Sequence, residues 1–342
     1  MARRYAYTPR RAGAPRRSGP ASNTSYAGLM APVVIGLAFV AFGLIVSGGS
    51  AELPDDSGCR GAECAPLVAG ESATPLVVSP TAEARPSPGT EPAPPISGYS
   101  TAIVEEPCGA VIYAVNEHLQ LPPASLTKIM TAIVALENAQ ADEIVDVQID
   151  GGELSLATDS TVMGLKPGDQ LAMIDLIYGL LMRSGHDAAL AIADHISGDE
   201  ESFAVLMNAK ASALGLQNSY FTNASGLDDA NLYTSAFDIA MLARELLSEP
   251  RLAEIVRSDE YDIGWDRGPL ENLNLMLSFY PGAIGVKTGF TDLAGQTIVA
   301  AADRDGRRLI VSVLHSEDLY VDASALLDWA FANTAPGCDA RG

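Results

Sequence analysis

Lysine is scarce in this chain: of 342 residues only Lys128, Lys166, Lys210 and Lys287 are lysines. Basic residues number 21 against 43 acidic, for a formal net charge of -22. A surface of that sign repels phosphate backbones and anionic headgroups, so neither nucleic acid nor acidic lipid is an expected partner. Cysteine and histidine are equally few, four of each. Cys59, Cys64, Cys108 and Cys338 show no metal-ligand spacing with His118, His186, His195 or His315, so disulfides are favoured over a metal site, and no cofactor is expected. No internal repeat is evident.

Charge is unevenly spread. Residues 1–28 hold Arg3, Arg4, Arg10, Arg11, Arg16 and Arg17 and no acid, leaving 15 basic residues against all 43 acidic ones in the rest. Residues 29–49 carry no charge and match one bilayer crossing. Arginines before that run place the N-terminus in the cytoplasm and the remainder outside, on the cell membrane, as a single-pass protein. A cleaved signal ending near Ser50-Ala51 competes, but the long basic start and long apolar run favour an anchor. Residues 50–98 are rich in Pro, Ser, Ala and Thr and read as a disordered stalk. One domain, 99–338, is left, large enough for a substantial core.

Within it, Thr101–Val104 and Ala110–Val115 read as a hairpin, and a helix opens at about Ser125. Leu171–Met182, Ala188–Ile196, Glu201–Leu214 and Ser235–Leu247 have helical spacing. Ala283–Thr288, Gln296–Ala302 and Arg308–Leu314 alternate as strands, with a turn over Asp303–Gly306, and a closing helix spans Leu319–Ala332. Strands at both ends with helices between them predict an α/β (α+β) fold: an antiparallel mixed sheet packed with helices, an all-helical lobe, and a cleft between them. If the chain ends meet, Cys108 pairs with Cys338, leaving Cys59 and Cys64 to close a small loop in the stalk.

The chemistry gathers around Pro122-Pro123-Ala124-Ser125-Leu126-Thr127-Lys128. Ser125 and Lys128 lie three apart, on one face of a first helical turn. A serine hydroxyl needs a base, and a lysine serves only if burial or a second cation keeps its amine neutral. Ser-x-x-Lys alone is weak, since serine opens helices and lysine decorates them. Lys287-Thr288-Gly289 changes the weight: with four lysines, chance placement gives about 0.02 such triplets per chain. Between the two lies Ser184-Gly185-His186-Asp187, expected on a loop between helices.

Ser-x-x-Lys, a Ser-x-Asn-type triad and Lys-Thr-Gly, in that order, resemble the signature of penicillin-binding proteins and class A β-lactamases. With Gly285-Val286-Lys287-Thr288-Gly289-Phe290-Thr291, Phe221-Thr222-Asn223-Ala224-Ser225-Gly226-Leu227-Asp228 and Asp303-Arg304-Asp305-Gly306-Arg307-Arg308, residues 100–330 resemble a D-alanyl-D-alanine carboxypeptidase of the low-molecular-mass penicillin-binding proteins. The resemblance implies a β-lactamase/transpeptidase-like fold, peptidoglycan stem peptide as substrate and β-lactams as covalent inhibitors. It implies Ser125 as nucleophile, Lys128 as base and Ser184 as proton shuttle. Lys287 and Thr288 would bind the terminal carboxylate, with Gly289 and the Phe290 N–H at the oxyanion hole. His186 stands where the pattern has asparagine; a neutral imidazole has one donor and one acceptor and can substitute. A β-lactamase would need a deacylating glutamate, and Glu200, Glu201, Glu245 and Glu249 all read as helix residues. A non-catalytic wall-binding protein of the same fold is the third reading.

Overall fold

The structure, a computed structural model, describes residues 91–338. The basic tail, the expected membrane segment at 29–49, Cys59, Cys64 and the stalk up to residue 90 lie outside the described residues. Among those described, no helix is long and apolar enough to cross a membrane.

Five strands form the main sheet: β1 (Ser100–Glu106), β2 (Ala110–Val115), β7 (Ala283–Thr291), β8 (Gly295–Arg304) and β9 (Arg307–Ser316), in the order β2-β1-β9-β8-β7. Every pairing is antiparallel, and β1 meets β9 with Thr101 opposite Val313, so the first and last strands do come together. Alternation sorts their side chains onto two faces. Ala102, Val104, Val299, Ala301, Ile310 and Leu314 join the large core, while Ile103, Ile298, Ala300, Leu309, Val311 and Val313 join a second one. The second is capped by α9 (Leu319–Asn333) through Ala323, Leu326, Leu327 and Ala330. On the other face lies α6 (Ala236–Ser248), opened by Ser235, whose hydroxyl accepts from the Asp238 N–H.

The helical lobe is inserted between β2 and β7. It holds α1 (Thr127–Asn138), β3 (Ile144–Asp146), α2 (Gly151–Thr158), β4 (Gln170–Ala172), α3 (Met173–Met182), α4 (His186–Ser197) and α5 (Glu200–Ala213). After α6 come α7 (Pro250–Arg257), the small hairpin of β5 (Glu260–Tyr261) and β6 (Leu270–Glu271), and α8 (Met276–Phe279). Helix α1 is buried at every position from Thr127 to Ala135 and is the axis of the lobe.

Several boundaries differ from the sequence expectation. Ser125 lies in a short 3-10 turn, Ala124–Leu126, and its side chain caps nothing; the α-helix starts at Thr127. Residues 170–172 pair with β3 as a strand instead of opening α3, because edge pairing to 144–146 outweighs their helical spacing. Helices α2 and α7 are not among the expected elements: α2 is too exposed to show an apolar face, and α7 begins at Pro250, a residue that interrupts a helical pattern but is tolerated at a helix start. The motif at 184–187 is only half on a loop, since His186 is the first residue of α4.

The two ends of the domain are tied by the expected Cys108–Cys338 disulfide, with Cα atoms 5.7 Å apart. Beside it the buried Glu105 carboxylate accepts from Arg307 Nη2 (3.0 Å) and the Gly337 N–H (2.8 Å). Contacts with the domain begin before residue 99: Trp329 Nε1 donates to the Glu91 carbonyl, and Asp322 accepts from the Ser97 and Gly98 N–H groups.

Candidate active site

Edge strand β7 packs against the first turn of the lobe, and both line a cleft of about 770 Å³. Ser125, Lys128, Ser184, His186, Thr288, Gly289 and Phe290 all line it, so residues up to 165 positions apart in the chain share one wall system. Lys287 is the exception among the expected residues: it is buried just behind the wall, 2% exposed, with Nζ donating to the Thr288 carbonyl at 2.8 Å.

Close approach requires glycine on both sides of Ser125. A Cβ on Gly289 would stand 2.9 Å from the Ser125 nitrogen and 2.7 Å from Thr297 Oγ1, so β7 can lie against the turn only without a side chain there. Gly226 has φ of +86° and packs its α-carbon onto the Ala124 carbonyl, where any side chain would collide with backbone. The Ser125 and Phe290 backbones thereby come to the same edge of the cleft. The Phe290 side chain is 65% exposed and lies along the mouth.

Lys128 is 3% exposed, and its Nζ is 3.1 Å from Ser125 Oγ. Burial first, and then the like charge of Lys287, hold its amine well below the ordinary lysine range. Lys128 Nζ also donates to the Ser225 carbonyl. Burial lowers Lys287 to about 7. In its neutral form, which burial and Lys287 favour, this amine can donate to the Ser225 carbonyl and offer its lone pair to the Ser125 hydroxyl.

Ser225 belongs to a segment the motif reading quoted but gave no role. Residues 221–228 have almost no regular structure and are held by side chains instead. Asn208 brackets Phe221 through its N–H (2.9 Å) and C=O (2.6 Å), and Asn223 Oδ1 accepts from the Gly226 N–H (2.7 Å). Glu200 Oε1 accepts from the Ala224 N–H (2.9 Å), and Thr131 Oγ1 donates to the Ala224 carbonyl (2.7 Å). Burial raises the Glu200 carboxyl above its usual range.

Ser184 sits at φ +58°, a left-handed conformation that serine adopts only under surrounding constraint. Its hydroxyl makes no hydrogen bond to the described residues, and the residue lines the cleft. Two residues on, His186 Nδ1 is 2.8 Å from Ser160 Oγ, a partner the sequence gave no reason to name. Burial, then the Lys128 charge, lowers His186 to about 4, so the ring is neutral at ordinary pH. Asp187 is fully buried and binds the N–H groups of Met163, Gly164, Leu165 and Ala188, which fixes the loop carrying Ser160 and Thr161 into the cleft wall. Among the described residues no cluster of His, Cys, Asp or Glu suits a metal ion.

The profile of the D-alanyl-D-alanine carboxypeptidase family matches residues 88–318. The chain belongs to this family. It is 33% identical over 240 residues to the D-alanyl-D-alanine carboxypeptidase DacF of Bacillus subtilis, covering 68% of this chain and 62% of that relative. Among solved structures, a D-alanyl-D-alanine carboxypeptidase from Mycobacterium tuberculosis aligns with TM-score 0.68 and 31% identity, over 74% of this chain and 97% of its own. The Streptomyces K15 DD-transpeptidase aligns with TM-score 0.67 and 29% identity, over 71% and 100%. These solved structures share the fold described above, and the family match leaves out residues 1–87 and residues 319–342, the latter holding α9 and Cys338.

Proposed function

We propose that the chain is a serine-type D-Ala-D-Ala carboxypeptidase that removes the terminal D-alanine of peptidoglycan stem peptides through an acyl-enzyme on Ser125. The observation that carries this reading is the buried Lys128 amine, its charged form disfavoured by burial and by Lys287, in contact with Ser125 Oγ in the cleft. Ser125 Oγ attacks the penultimate carbonyl as its proton passes to Lys128. The oxyanion that forms is met by the Ser125 and Phe290 N–H groups. Lys287 and Thr288 hold the terminal carboxylate, and an incoming carboxylate would restore the charged form of Lys287. The leaving amine takes its proton from Lys128 by way of Ser184, and D-alanine departs. Water then attacks the ester, returning Ser125 Oγ–H and freeing the shortened peptide.

The alternative that the acyl-enzyme serves a β-lactamase needs a carboxylate to activate that water. Glu200 is close enough to interact electrostatically with Lys128, but its carboxylate is engaged by the Ala224 N–H and holds the 221–228 segment, which favours the peptidase. Incubating the full-length chain with a pentapeptide stem tests the proposal. Release of one D-alanine per stem, lost in Lys128→Ala, supports it, and an unaltered pentapeptide contradicts it.

The arginine-rich start and the uncharged run at 29–49 support a second part of the reading: the domain stands outside the cell membrane on residues 50–90 as a tether. The full-length chain should fractionate with membranes and lose its domain to protease added outside the cell. A mature chain starting near Ala51 would instead mark 29–49 as a cleaved signal.

A further inference from the structure

His186 occupies a position where the family pattern has an amide able to donate and accept at once, and a neutral imidazole can do only one of these on each nitrogen. Which nitrogen carries the proton is set by the groups behind the ring. Ser160 Oγ is 2.8 Å from His186 Nδ1 and 2.7 Å from Thr158 Oγ1, and Thr158 Oγ1 is 2.8 Å from the Leu154 carbonyl. A carbonyl has no proton, so the Thr158 hydroxyl must donate to Leu154. Its single proton is then used, and the contact to Ser160 exists only if Ser160 donates to Thr158. Ser160 in turn has no proton left for the ring, so Nδ1–H must donate to Ser160. Any other polarity sets two lone pairs against each other at one link of the chain. The ring's second nitrogen, Nε2, makes no hydrogen bond to the described residues, is not among the sealed, unpaired polar atoms, and belongs to a side chain lining the cleft.

We propose that Thr158 and Ser160 are positioning residues that hold His186 in its Nδ1–H tautomer, so that the cleft wall presents a fixed hydrogen-bond acceptor, Nε2, and selects ligands offering an N–H there. The chemical class is a secondary amide: a backbone N–H of a stem peptide, or the side-chain amide N–H of a penicillin. The mounting is rigid. Ser160 follows the C-terminus of α2, its carbonyl accepts from Ser155 Oγ at 2.9 Å, and the His186 N–H donates to the Thr161 carbonyl at 2.9 Å. This inference rests on reading the cleft as an acyl-transfer site, but its first test does not.

Nitrogen-15 NMR of the histidine-labelled full-length chain at neutral pH reads the tautomer directly, with His186→Asn identifying the His186 signals. The wild type should show the proton on Nδ1. Ser160→Ala removes the acceptor, and Thr158→Val frees the Ser160 proton to point at the ring, so both variants should shift population toward Nε2–H. A wild-type ring protonated on Nε2, or a tautomer unmoved by both substitutions, overturns the proposal. The second readout is the acylation rate by a penicillin with a secondary-amide side chain divided by that of its N-methylated counterpart. This ratio should fall about five- to tenfold in Ser160→Ala, the effect of one hydrogen bond; an unchanged ratio refutes the selection. Failure of acylation in every protein would sink the peptidase reading and leave the tautomer result standing.

Discussion

Asp187 offers the sharpest test of how the cleft wall is built. Its Oδ1 accepts from the Met163 (2.9 Å) and Ala188 (2.9 Å) N–H groups, and Oδ2 from Gly164 (2.8 Å) and Leu165 (2.9 Å). Asp187→Asn keeps the shape and one oxygen, but the other becomes an NH₂ aimed at two N–H donors. Two hydrogen bonds are lost and two buried donors are stranded, at about 1–3 kcal/mol each, so the variant should be less stable by about 2–6 kcal/mol. Asp187 also raises the Lys128 amine electrostatically, against burial and Lys287. Removing its charge should lower that amine further, moving the acid limb of acylation to lower pH in the molecules that remain folded. Urea unfolding gives the first quantity, and penicillin acylation across pH the second. An Asn variant as stable as wild type would refute the claim that this carboxylate holds the 159–165 loop.

His186→Asn should keep acylation within about tenfold, or 1.4 kcal/mol in the barrier, and should remove a fall in activity near the ring's value of about 4. Because folding lowers this ring from 6.5 to about 4, the unfolded chain binds the extra proton, so wild-type stability should decline as pH falls through that window. Identical pH profiles for both proteins would remove His186 from the hydrogen-bond network. Cys108→Ser should reduce stability by about 2–4 kcal/mol, since the bridge closes a separation of 230 residues, less whatever the Glu105 contacts to Arg307 and Gly337 retain. A melting temperature indifferent to reductant would show that the bridge carries no stability.

The parts of the molecule that sequence revealed are those where local pattern and tertiary need agree. Strands β8 and β9 stand out as apolar runs because both faces of the sheet are covered, and α9 shows its stripe because one side meets that sheet. Lys128 and Lys287 stood out because lysine is otherwise so scarce, and the cleft does bring Ser125, Lys128, Ser184 and the Lys287 strand together. What stayed hidden depends on contacts distant in the chain. Nothing local marks Ser160 as the partner of a ring 26 positions away, and Glu200, read as an ordinary helix residue, turns its carboxylate to the Ala224 N–H. The Asn-Ala-Ser-Gly run at 223–226 was visible as a motif, yet the Ser225 carbonyl acts through its backbone, which side-chain identity does not report. Helix α7 was lost because a proline that ends one helix also begins the next.

The central claim is that Ser125 becomes acylated because Lys128 takes its proton. Ser125 caps no helix, so Ser125→Ala should fold with near-normal stability. Mass spectrometry of the full-length chain after exposure to a penicillin measures the claim most directly. The wild type should gain one penicilloyl group, mapped to the peptide containing Ser125, and Ser125→Ala should gain none. An adduct on the folded alanine variant, or a wild-type adduct on any other residue, would contradict the account.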